Sequence, residues 1–211
     1  MHTIERRMAD FNSILIDMAE SVYGALDGAF KALREQDKDA ALTIMENDEK
    51  INHSEAMIHT QAIEILTLLQ PLAKDLRLLI GGIRIANDLE RIGDYAKSIA
   101  RFVIKVPKLN DALLGRIDNL SIQLMSNIRD TIDLLSHPDV KRAYEVALKD
   151  DDLDHIFRAL LLSVVDDQET IASNIIEISG MLRNIERAGD HATNICEIVI
   201  YIENGEFIDF G

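Results

Sequence analysis

Apolar residues recur along this chain at intervals of three and four. Phe11, Leu15, Met18, Val22, Leu26, Ala29 and Leu33 form one such stripe, the spacing of an amphipathic helix whose apolar face meets a core. The period-two alternation of a half-buried strand does not occur. The rhythm breaks near Gln36–Asp39, Gln70–Pro71, Val106–Asn110, Ser136–Pro138 and Asp166–Asp167. Pro71 and Pro138 suit the first turn of a following helix, where a missing N–H costs nothing, and Asp37 and Ser136 suit N-caps. The pattern predicts six helices, most of them about thirty residues long, which at ~1.5 Å per residue are rods of roughly 45 Å.

The helical pattern is also duplicated. Ile85-Ala-Asn-Asp-Leu-Glu-Arg-Ile-Gly-Asp94 superposes on Met181-Leu-Arg-Asn-Ile-Glu-Arg-Ala-Gly-Asp190 at an offset of 96, with Glu, Arg, Gly and Asp matched. A fainter match at an offset of 102 pairs Val22 with Leu124, Asp37 with Asp139, Asp48 with Asp150 and Ile51 with Leu153. The chain therefore reads as a tandem duplication of three helices with its midpoint near Pro107. Three antiparallel helices can bury one apolar stripe each, so the expected architecture is all-α: two three-helix bundles, over residues 1–106 and 107–211.

The third and sixth helices separate cleanly into faces. Ile85, Leu89, Ile92, Ala96, Ile99 and Val103 make the core stripe of the third; Met181, Ile185, Ala188, Ala192, Ile195 and Val199 make that of the sixth. Glu90 and Asp94 lie away from the first stripe, and Glu186, Asp190 and Glu197 away from the second. Carboxylates at i and i+4 repel by a few tenths of a kcal/mol. Repeating that arrangement at equivalent positions points to a cation, and hard oxygen donors favour Mg, Ca, Mn or ferric iron. The competing reading is a solvated acidic face in which Arg91 and Arg187 pair with their neighbours. Gly93 and Gly189 each cost about 1 kcal/mol relative to Ala in a helix, which points to a close helix approach at both places. A second set lies beside the apolar stripes of the second and fifth helices: Asp48, Asn52 and Glu55 in one repeat, Asp150 and Asp154 in the other. Asp151 and Asp152 read as a solvated acidic run.

Composition narrows the function. Twenty-two Lys and Arg against thirty-seven Asp and Glu give a net charge of −15, which disfavours nucleic acid and anionic membrane surfaces as partners. The apolar runs Leu78–Ile83 and Ala159–Val165 fall short of the ~20 residues a membrane span needs, and Met-His-Thr-Ile-Glu-Arg-Arg has no apolar region behind it. A soluble protein of a reducing, cytoplasmic compartment is expected; the single Cys196 reads as a small buried hydrophobe. The six histidines form no HExxH and no paired Glu-x-x-His, which argues against a zincin and a ferritin-like di-iron centre. No nucleophile–base pair and no phosphate-cradling Gly-rich loop stands out, so the expectation is not an enzyme.

Pro71-Leu-Ala-Lys-Asp-Leu-Arg77, Asp88-Leu-Glu-Arg-Ile-Gly-Asp94, Asn184-Ile-Glu-Arg-Ala-Gly-Asp190 and Asn194-Ile-Cys196 resemble the signatures of the PhoU family, regulators of phosphate uptake in bacteria and archaea. The resemblance spans nearly the whole chain. It implies two three-helix bundles related by a pseudo-twofold axis, usually assembled as a homodimer. It also implies metal, with iron first and Mg, Mn or Zn as alternatives. Carried over, the metal motifs are Glu90 with Asp94 and Glu186 with Asp190, with Asp48, Asp150 and Asp154 contributing. Asn52, where the second repeat has Asp154, weakens the first set. The implied function is a negative regulator linking the ATP-binding subunit of the phosphate transporter to a membrane sensor histidine kinase. Three alternatives stand beside it: a metal buffer or store, an accessory of a low-affinity phosphate permease, and a purely structural scaffold.

Overall fold

The computed structural model describes residues 2–106, 109–166 and 174–210; Pro107 and the segment after Asp166, where two predicted breaks fall, lie outside them. Helices α1 (His2–Glu35), α2 (Lys38–Leu69) and α3 (Lys74–Lys105) form one bundle, and α4 (Asp111–Ser136), α5 (Val140–Ala147), α6 (Asp150–Asp166) and α7 (Ile175–Asn204) the other. No strand occurs among the described residues, and none of their helices is long and apolar enough to cross a membrane. All the residues of the three predicted stripes, in α1, α3 and α7, are buried.

The fifth predicted helix is interrupted. Leu148 and Lys149 form a turn between α5 and α6, so Asp150, Asp151 and Asp152 occupy the first turn of a new helix. Three successive carboxylates repel within a continuous helix but meet the positive end of the dipole at an N-terminus. Asp37 caps α2 as expected, accepting from the backbone N–H of Asp39 and Ala40. Ser136 does not cap the following helix; it ends α4, and Asp139 accepts from the Arg142 N–H to cap α5. Pro71 and Pro138 both precede their helices instead of entering the first turn.

The two bundles share one core, because α3 packs along α7 and α1 along α4. Both pairings run antiparallel, as a twofold relation between the repeats requires. Arg77, near the start of α3, donates from Nε to the Ile202 carbonyl at 3.0 Å, which satisfies a carbonyl at the end of α7. Further along, Tyr95 meets His191. On the other side Arg34 pairs with Asp118 at 2.8 Å and Arg129 with Glu20 at 2.6 Å, with the Arg129 guanidinium over the Tyr23 ring.

Candidate metal centre

In each bundle, two acidic residues on the third long helix face one or two on the second. In the first repeat Asp48 of α2 is buried at 4% exposure and receives the ammonium of Lys97 from α3 at 2.5 Å. Glu90 and Asp94 sit two turns and one turn before Lys97 on α3. Burial pushes the Glu90 carboxyl up, and Asp94 adds to the rise, while Arg91 opposes it. Arg91 lies 3.7 Å from Glu90 and 3.6 Å from Asp94, so the arginine contact expected on this face is present in the first repeat. Glu55 is 3.8 Å from His59, which hydrogen-bonds Asn87, and Asn52 is exposed. Between α1, α2 and α3 lies a cavity of about 280 Å³ lined by Gly24, Ala25, Asp48, Ile51, Gly93 and Lys97.

The second repeat keeps the carboxylates and loses the ammonium. Asp150 corresponds to Asp48, but the position of Lys97 is held by Thr193. Burial lifts the Asp150 carboxyl to about 6, with Asp190 and Asp154 adding to the rise. Thr193 is close enough to oppose that rise in part, yet Asp150 Oδ1 and Thr193 Oγ1 are both buried without a hydrogen-bond partner. The Glu186 carboxyl is pushed up by burial, then by Asp190 and Asp154; that of Asp190 by desolvation and Asp154. Arg187 weakens both shifts but forms no ion pair among the described residues, so its predicted pairing is looser than that of Arg91. Asp154 is held by Arg158 at 3.0 Å. Asp151 and Asp152 are exposed, as a solvated run would be.

The glycines set how closely these helices approach. A Cβ on Gly189 would stand 2.7 Å from Leu153 Cδ2 and 2.8 Å from Asp150 Oδ1. A Cβ on Gly93 would stand 3.1 Å from Ile51 Cδ1. Both glycines therefore admit the acidic helix of their own bundle, and at Gly189 the neighbour admitted includes the orphaned carboxylate.

The predicted ligands thus form two groups: Asp48, Glu90 and Asp94 in one bundle, Asp150, Asp154, Glu186 and Asp190 in the other. The second fits a hard cation better. Its donors are all carboxylate oxygens, they raise one another's proton affinity, and one oxygen is buried with no partner. As the side chains stand, no three His, Cys, Asp or Glu among the described residues lie close enough to hold one ion, so coordination requires them to turn towards a common point. Glu197, aligned with the acidic face in the sequence, instead accepts the Phe210 N–H at 2.9 Å and anchors the C-terminal segment. Cys196 is fully buried, and burial raises its thiol to about 12, in keeping with a packing role.

Sequence reasoning missed three features. The contrast of Lys97 with Thr193 is visible by extending the offset of 96 three residues past the acidic motif. Asn127 of α4 is buried at 3% exposure with neither side-chain polar atom bonded, an outcome periodicity cannot signal. His191, next to Asp190, reaches across to the other repeat, pairing its Nδ1 with Asp88 at 2.7 Å and its Nε2 with the Tyr95 hydroxyl at 3.3 Å. Asn194 also donates to Asp88, so this network ties α3 to α7.

The PhoU domain model matches the chain twice, over residues 15–103 and 117–199. The chain is 34% identical to a phosphate-specific transport system accessory protein PhoU homolog of Pseudomonas putida, over 94% of this chain and 79% of that one. Its fold superposes on the crystal structure of the phosphate transport system regulatory protein PhoU from Streptococcus pneumoniae with a TM-score of 0.91 and 26% identity, over 98% of this chain and all of that one. The crystal structure of PhoU from Pseudomonas aeruginosa gives 0.90 and 32%, over 96% and 99% of the two chains. Two copies of the motif, each in its own bundle and each within a matched segment, place the chain in the PhoU family.

Proposed function

We propose that this protein is a non-enzymatic accessory regulator of phosphate transport, which restrains uptake and the phosphate-starvation response when phosphate is plentiful. The observation that carries the reading is the match in sequence and fold, over more than nine-tenths of this chain, to proteins described as accessory or regulatory components of phosphate transport. In this reading the chain works in the cytoplasm as a homodimer and contacts the ATP-binding subunit of the transporter and a membrane sensor histidine kinase. Its long exposed helical faces offer area for such contacts.

Metal belongs to the same proposal. Glu186, Asp190, Asp154 and Asp150 would hold iron, or Mg, Mn or Zn in its place, with Glu90, Asp94 and Asp48 as a weaker first set. A bound cation supplies charge that cancels carboxylate repulsion. The protein's own part is to bring α6 against α7 at Gly189, so that four acids from two helices share one side.

Two measurements test this. Deleting the gene is expected to raise expression of phosphate-starvation genes in phosphate-replete cells; unchanged expression overturns the regulatory reading. Elemental analysis of the purified protein is expected to find metal that a Glu90→Ala, Asp94→Ala, Glu186→Ala, Asp190→Ala variant lacks. Equal metal in both, or none in either, removes metal from the proposal while leaving regulation standing.

A further inference from the structure

We propose that the hollow between the two bundles binds a single-chain amphiphile with an anionic head, of the medium-chain fatty-acid class. The inference rests neither on the regulatory reading nor on metal.

The hollow opens at the end of the molecule where α1 and α3 begin and α4 and α7 finish. Its volume is about 320 Å³ and its wall is aliphatic: Met8 and Leu15 of α1, Leu78 and Ile85 of α3, Leu135 of α4 and Ile202 of α7. Protein interiors hold few voids larger than a water molecule, and an apolar cavity of roughly 150 Å³ already stays dry and takes up small hydrocarbons. Water entering this larger space meets few polar partners, so an apolar occupant is favoured. The space is not imposed by the fold. The offset of 102 pairs Asn12, which also lines the hollow, with Leu114, whose aliphatic side chain packs against the core in the other repeat.

Shape and charge select the ligand. The lining runs from Met8 to Leu15 and from Lys74 to Ile85, roughly 10–16 Å at the rise of a helix. Spreading 320 Å³ over that length leaves a cross-section of about 20–30 Å², close to the girth of one extended hydrocarbon chain. The inner end is deep, since Leu15 and Ile85 are each 1% exposed. The outer end carries the charge: Lys74, 58% exposed, holds Glu203 at 2.6 Å. An ammonium has three N–H groups, so Lys74 can take a carboxylate head while keeping Glu203. Arg77, one turn further along α3, adds positive charge near this rim, where its guanidinium meets the Ile202 and Glu203 carbonyls. A chain seated here touches α1, α3, α4 and α7 at once, and so holds one bundle to the other.

Isothermal titration of the full chain with hexanoate, octanoate and decanoate tests this. One site per chain is expected, tightened about tenfold by each two-carbon step as more methylenes are buried. Lys74→Ala is expected to weaken decanoate about fivefold and to leave decanol unchanged, because only the acid meets the ammonium. Asn12→Leu, which copies Leu114, narrows the hollow and is expected to weaken acid and alcohol alike. Should the leucine variant fail to fold, the contrast between acid and alcohol in Lys74→Ala decides alone. No saturable binding of decanoate, or equal affinity along the series, overturns the proposal. So does decanoate binding that a folded leucine variant leaves intact. Uptake of a trileucine peptide in place of decanoate overturns it as well, and assigns the hollow to the side chains of a partner.

Discussion

The two bundles carry the same acidic motif and solve its electrostatics differently. In the first, Lys97 reaches the buried Asp48 and Arg91 sits over Glu90 and Asp94, so cationic side chains of the chain itself meet the carboxylates. In the second, Thr193 replaces Lys97, Arg187 stands off, and Asp150 keeps an oxygen without a partner. Duplication preserved the motif-bearing helix and its glycine while the counter-charge diverged. The lesson is that a repeated motif specifies geometry, whereas the charge state of each copy depends on one residue outside it.

Removing the built-in cation is the largest expected perturbation. Lys97→Met leaves the almost fully buried Asp48 carboxylate without its partner, and loss of one partner of a buried pair costs about 3–5 kcal/mol. The lower end applies, because Lys97 is 30% exposed and water can enter when it is gone. Urea unfolding of the variant is expected to show a stability loss of about 3 kcal/mol, and adding Asp48→Asn should recover most of it. A loss below about 1 kcal/mol would mean that Asp48 does not rely on Lys97, and the contrast between the bundles would collapse.

The glycines come next, and they distinguish the bundles by packing. Gly189→Ala drives a methyl against Leu153 and the Asp150 carboxylate, with overpacking that costs about 1–3 kcal/mol. Gly93→Ala meets Ile51 alone, at 3.1 Å from Cδ1 and 3.2 Å from Cγ2, and the gain of about 1 kcal/mol in helix propensity offsets much of that crowding. The Gly189 variant is expected to melt well below the wild type and the Gly93 variant near it. Equal melting points would show that the two helix pairs tolerate the same approach.

How much of this is legible in the sequence follows from what is local. The stripes Ile85 to Val103 and Met181 to Val199 are buried where periodicity places them, because a helix repeats its face every 3.6 residues whatever it packs against. Asp37 declares itself as a cap, and Asp139 would have done so too, since the offset of 102 pairs the two. The break at Leu148 is harder, because a run of three aspartates reads equally as a solvated face or a new N-terminus. Whether a carboxylate is paired depends on residues from other helices. Lys97 lies 49 positions from Asp48, and the burial of Thr193 and Asn127 is set only once the helices meet.

Acidity offers a gentler probe of the second bundle. The Asp150 carboxyl is raised from 3.8 to about 6 in the fold, chiefly by burial and then by Asp190 and Asp154. The folded state therefore holds a proton that the unfolded chain has released between those values, and stability falls as pH rises through that window. In chelated protein the melting point is expected to decline from pH 4 to 6.5, with Glu186 and Asp190 contributing in the same direction. Asp150→Asn removes the largest share of that decline. An unchanged slope in the variant would show that Asp150 is already solvated, and that the bundle is not the unbalanced one.

The smallest effect on stability is expected at Arg91, and it carries the comparison furthest. Arg91 is 60% exposed and its two contacts exceed 3.5 Å, so Arg91→Ala should change stability by less than about 0.5 kcal/mol. Its influence is on charge: Arg91 lowers the proton affinity of Glu90, and without it Glu90 and Asp94 repel each other unrelieved. Combined with Lys97→Thr, the change leaves the first bundle with the unbalanced acids of the second. If counter-charge is what separates the two copies, elemental analysis of that double variant should find more metal per chain than the wild type carries. Metal content equal to the wild type in a folded double variant would place the difference elsewhere, at Asn52, where the second bundle has the carboxylate of Asp154 and the first has only an amide.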